Sequence, residues 1–110
     1  MYYVILGTFV PSRRNRICDN MFYGFFDTEA KPPIPCGEMN DSDGPSMIGK
    51  IFLNDDHFEF SQVYEDNDQE IRYSFRREGD VWSGEFSGGK HGSGYAKCIL
   101  NPVELRFLAC

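Results

Sequence analysis

Gly88-Gly89-Lys90-His91-Gly92-Ser93-Gly94 is the stretch of this 110-residue chain whose residue types come nearest to a phosphate cradle. Such a cradle needs glycines that open a helix amino terminus, with a Lys followed by Ser or Thr. Here Lys90 is followed by His91, and the residues beyond alternate as a strand does, so the stretch reads as a flexible hairpin. Asn40-Asp41-Ser42-Asp43-Gly44 has the look of half a calcium loop. With Gly44 at the sixth position, Asp41 and Asp43 take the third and fifth. Met39 and Lys50 then fall at the first and twelfth, where carboxylates are required. The segment reads as a solvated acidic turn.

His57 and His91 are the two histidines, and neither stands at zinc-ligand spacing from a cysteine. Ser93 and Cys98 are nucleophile types, but nothing in the spacing sets either against a histidine as base. The expectation is therefore a non-enzymatic protein with no metal and no cofactor. Arg13, Arg14 and Arg16 form a candidate anion site, since guanidinium forks hold carboxylate or phosphate bidentately. Their alternative partner is the acidic middle of the same chain. Residues 27–70 carry twelve Asp or Glu against Lys31 and Lys50, whereas both flanking parts are mildly basic. The formal net charge of −6 argues against nonspecific attraction to nucleic acid or anionic membrane.

The elements that must position these groups read as strands. In residues 71–76, Ile71, Tyr73 and Phe75 share one parity and Arg72, Ser74 and Arg76 the other, the mark of a sheet with one buried face. Ten Phe, six Tyr and one Trp suit strands and give a small core much of its buried area. Residues 2–10 and 21–26 are apolar on both parities, so both faces of those strands call for cover, from a loop or from a second subunit. Residues 28–46 hold four prolines and an acidic run and read as a long loop. Six further strands are expected at residues 47–53, 57–64, 69–77, 81–87, 95–100 and 103–108, with Asn101-Pro102 as a turn. Glu78-Gly79-Asp80 carries the strongest hairpin signal.

About eight antiparallel strands in succession predict one all-β domain over residues 1–110. The architecture expected is a meander closed into a small up-and-down, calycin-like barrel, with an open half-barrel as the alternative. Cys18, Cys36, Cys98 and Cys110 form no CxxC pair, and Cys98 lies on an apolar parity that assigns it to the core. Residues 2–10 lack the basic flank and length of a secretory leader, and no apolar run reaches the ~20 residues of a spanning helix. The compartment expected is the cytoplasm.

Function is expected to reside in protein contact of the inhibitor, immunity or adaptor type, by a homodimer. The loop residues Ile34, Met39, Asp41 and Asp43 are candidates to meet a protein partner of basic character. The alternative is a carrier of a small apolar ligand inside the barrel, lined by Phe22, Phe26, Phe58, Phe60, Tyr73, Phe75 and Trp82. A small enzyme ranks third.

Overall fold

The computed structural model describes residues 1–11, 20–31, 36–66, 69–89 and 92–104. Eight strands follow one another: β1 Tyr2–Pro11, β2 Asn20–Asp27, β3 Gly37–Asp41, β4 Gly44–Leu53, β5 His57–Tyr64, β6 Glu70–Glu78, β7 Val81–Gly88 and β8 Ser93–Val103. Each pairs antiparallel with the next, and β8 returns to pair with β1, so the meander closes into a barrel. No helix occurs among the described residues. The closed form prevails over the half-barrel because β1 and β8 share the longest ladder of the sheet, from Tyr2↔Val103 to Pro11↔Gly94. Closure gives each of the two strands a neighbour on both sides.

One parity of every strand supplies the interior. Ile5, Phe22, Phe26, Met39, Ile48, Phe58 and Phe75 are all but fully removed from solvent. Burying side chains of this size contributes roughly 1.5–3 kcal/mol each, which is what holds a small barrel closed. Cys98 is buried in this core, as its parity required. Where strands cross most tightly the inward position is glycine. A Cβ on Gly84 would lie 1.8 Å from the Ser74 carbonyl oxygen, so only glycine lets β7 come so close to β6. The β6–β7 hairpin turns at Gly79 and Asp80, with Gly79 at φ 66°, as the Glu78-Gly79-Asp80 signal demanded.

Two expectations are corrected. Residues 28–46 are not one loop, because Gly37–Asp41 forms β3 between β2 and β4, and Ser42-Asp43 is the two-residue turn of a hairpin. The backbone N–H of Asp43 donates to Asp41 Oδ1 at 2.8 Å, the local bond that makes Asp a turn former. Pro45 is tolerated in β4 because the ladder to β5 begins only at Ser46↔Tyr64. Asn101-Pro102 is no turn either: β8 runs through it to Val103. Past Trp82↔Cys98 that strand pairs with β1 alone, so a residue without an N–H is accommodated. Of the strand expected at 103–108, residues 105–108 lie outside the described residues.

Candidate functional site

The seven residues expected to line a ligand chamber do come together inside the barrel. They pack against one another, with Phe60 and Tyr73 reaching a groove across β5 to β8 and Trp82 a recess at one barrel end. Phe58 is the hub, with ring centroids 5.4 Å from Phe26, 5.1 Å from Phe60, 5.7 Å from Phe75 and 6.0 Å from Trp82. Tyr73 stacks on Phe60 at 4.6 Å and tilts toward Phe22 at 5.7 Å. Aromatic pairs at 4.5–7 Å attract beyond their burial, so these rings act as a packed core.

At the end of the barrel that carries the β3–β4 turn, the core becomes polar. Gln62, with no exposed surface, donates from Nε2 to Asp41 Oδ2 at 2.9 Å and to Ser46 Oγ at 2.8 Å. Its Oε1 accepts from the Tyr73 hydroxyl at 3.0 Å. Tyr64 donates to the same Asp41 oxygen at 2.5 Å, and Ser46 donates to the Met39 carbonyl at 3.1 Å. Every arm of the Gln62 amide is engaged, which fixes its orientation and leaves no buried donor idle. Burial and then the Asp41 hydrogen bond push the Tyr64 phenol far above its ordinary value. Burial does the same to Tyr73 and raises the Cys98 thiol to about 12. These groups stay protonated at neutral pH, and Cys98 offers no thiolate for nucleophilic chemistry.

The expected partner-binding residues are therefore redistributed. Met39 is core rather than surface, because it occupies the inward parity of β3, and it cannot meet a partner. Asp41 is half-buried and held by Gln62 and Tyr64. Asp43 stays at the hairpin turn. Ile34, Arg13, Arg14 and Arg16 lie outside the described residues. So do Lys90 and His91 of the glycine-rich stretch, whose flanking Gly88, Gly89 and Gly92 have positive φ in the β7–β8 hairpin. His57 Nε2 meets Glu59 Oε1 at 3.2 Å across the start of β5. Among the described residues no three His, Cys, Asp or Glu converge as metal ligands.

Two surface features stand out. The first is a groove of about 600 Å³ across β5 to β8, lined by Phe60, Tyr73 and Phe86 as well as by Glu59, Ser61 and Glu85, into which the β4 bulge delivers Lys50. Lys50 has φ 53°, a left-handed conformation uncommon outside glycine. Glu70 accepts from Lys50 Nζ at 3.3 Å, Arg72 Nε at 3.0 Å and Ser61 Oγ at 3.2 Å. Hydrogen bonds, first from Arg72 and then from Lys50, hold its carboxyl below the ordinary range. Both cations thus converge on one carboxylate. The sequence carried a signal for this bulge: inward parity passes from Ser46 and Ile48 to Ile51 and Leu53, a slip of one residue at Lys50.

The second feature is the outer face of β8, β1 and β2. Val4 and Leu6 on β1 stand beside Phe25 and Tyr23 on β2, Thr8 beside Met21, and Leu6 beside Ile99 on β8. The six large apolar residues among these are between 37% and 58% exposed. A shallow trough of about 270 Å³ runs between Leu6, Met21, Val81 and Ile99. The two-sided apolarity of residues 2–10 and 21–26 is thereby explained on one side only: Ile5, Phe9, Phe22 and Phe26 point in, and their neighbours face out. No protein-family model, curated protein or solved structure matches the chain.

Proposed function

We propose that this protein works by contact rather than catalysis: a small barrel that docks protein surfaces through the outer face of β8, β1 and β2, first of all on a second copy of itself. The observation that carries the reading is that strip of Val4, Leu6, Met21, Tyr23, Phe25 and Ile99. Three strands ~4.8 Å apart, over about four residues of ~3.3 Å rise, make it roughly 300 Å² with side chains included. Apolar patches of that size on a small protein are commonly interaction sites.

A second copy suits the face because its charges are self-complementary. Lys97, beside Thr8, marks the β8 corner, and Glu38, beside Phe25, marks the opposite corner on β3. A two-fold axis passing between them lays Lys97 of each copy against Glu38 of the other, the arrangement an isologous interface needs. Burying the strip on both copies contributes ~15 kcal/mol before an association cost of about 4–15 kcal/mol, so the dimer expected is a weak one. The acidic remainder of the surface is then left for a basic protein partner.

Light scattering in reducing buffer tests the reading. The expected outcome is twice the chain mass at high micromolar concentration, falling to a monomer for Leu6→Glu with an unchanged unfolding midpoint in dilute solution. A wild-type monomer at every concentration overturns it.

A further inference from the structure

The barrel end opposite the Asp41–Gln62 cluster is open in a different way. The β4–β5 turn, the β6–β7 hairpin and the ends of β1 and β8 surround a recess of about 370 Å³. Its floor holds Tyr3 and Trp82, its walls Leu53 and Leu100, and its rim Arg77 and Asp55. Each part has an identifiable support. Tyr3 is stacked on the core ring of Phe26 at 5.4 Å, and Trp82 meets Phe58 edge-on at 6.0 Å. The guanidinium of Arg77 lies over the Trp82 ring at 5.9 Å and is steadied by a hydrogen bond from Nε to the Gly79 carbonyl at 2.9 Å. The backbone N–H of Arg77 donates to the Asp56 carbonyl at 3.0 Å, which ties the turn carrying Asp55 to the same rim.

We infer that this recess is a binding site for a small flat aromatic carboxylate. Ligand sites are concave and combine apolar surface with placed polar groups, and this one sets two ring systems and two leucines among Thr28, Asn54, Asp55 and one fork-shaped cation. Among the described residues no carboxylate pairs with Arg77, so its terminal N–H groups are left for a ligand. A guanidinium fork matches a planar carboxylate bidentately. Asp55 on the same rim disfavours a second negative charge. The stacked rings beneath Trp82 stop a long chain from threading the barrel, so the ligand is limited to one or two fused rings. Nothing in this inference depends on the proposed dimer, since the recess lies at the barrel end and the apolar strip on its side.

Trp82 is the only tryptophan, so its indole N–H gives one unmistakable cross-peak in a proton–nitrogen correlation spectrum. Titration with 2-naphthoate is expected to move that peak saturably at millimolar concentration. The neutral isostere 2-naphthamide should bind about fivefold more weakly, the upper range for a partly exposed ion pair. Naphthalene-2,6-dicarboxylate should gain nothing over the monoanion. Arg77→Gln should erase the preference for acid over amide while leaving binding of the amide, and Arg77→Lys should keep part of it. The same titration on the Leu6→Glu variant should be unchanged, which separates this site from the dimer. No saturable indole shift, equal binding of acid and amide, or shifts confined to Leu6 and Ile99 would each overturn the inference.

Discussion

Replacing Gln62 by Leu removes the one side chain that touches Asp41, Ser46 and Tyr73 at once. The substitution leaves the Tyr73 hydroxyl buried with no acceptor at that position and takes one of two side-chain donors from the Asp41 oxygen. Each orphaned buried group costs about 1–3 kcal/mol, and more where the group is charged, so the expected loss is ~3 kcal/mol or more. Tyr64→Phe takes away only the other donor to Asp41 and is expected to cost about 1.5–3 kcal/mol. Urea unfolding at neutral pH measures both, and a Gln62→Leu midpoint equal to wild type would refute the account. Gln62 shares the inward parity of Phe58, Phe60 and Tyr64, so a polar residue facing the core was legible in the strand pattern. Its partners were not. Asp41 lies in a turn read as solvated, and only the β3–β4 hairpin, paired along β5, carries it to Gln62.

At the scale of elements, the glycines that permit close strand crossings differ sharply from those that merely occupy open positions. Gly84→Ala places a methyl against the Ser74 carbonyl, and backbone cannot swing aside as a side chain can. The expected cost is about 3 kcal/mol or failure to fold. Gly49 sits at the β4 bulge with open space around a built Cβ, so Gly49→Ala should lie within ~0.5 kcal/mol of wild type. Thermal unfolding of the pair checks this, and similar midpoints would mean that β6 and β7 do not lie as close as described. The same scale explains which strands could be read. β6 stands out because Ile71, Tyr73 and Phe75 alternate with solvated residues along a strand flanked on both sides. The inward parity of β3 is Gly37, Met39 and Asp41, with one large apolar side chain among them, and prolines lie on either side of it, so composition pointed to a loop. β8 hid its length behind Pro102, because proline is a turn signal until the neighbouring strand ends. The described structure also has eight strands, although β3 reads as loop in the sequence and β8 as ending at Leu100.

Across the whole molecule, the buried hydroxyl and thiol groups make folding sensitive to alkali. Tyr64, Tyr73 and Cys98 all ionise with more difficulty in the folded chain, chiefly because burial disfavours the charged form. In the unfolded chain a thiol releases its proton near pH 8.5 and a phenol near pH 10. Above those values the unfolded state binds fewer protons than the folded one, so the derivative of unfolding free energy with pH is negative and stability falls. Below about pH 8 both states are fully protonated at these groups, and the contribution is constant and complete. From about pH 8 to about pH 11 the loss should reach the order of 3–5 kcal/mol, with Cys98 acting first. A domain of this size has ~5–15 kcal/mol in all, so unfolding by base near the upper end of that range is expected. The general rise in negative charge also weakens the fold, and variants isolate the named groups from it. Cys98→Ala should flatten the first part of the decline, between about pH 8 and pH 10, and Tyr73→Phe the later part. Urea midpoints measured across this interval in reducing buffer decide the matter. If the Cys98→Ala difference stayed constant with pH, the thiol would titrate alike in both states, and Cys98 would not be shielded in the barrel wall.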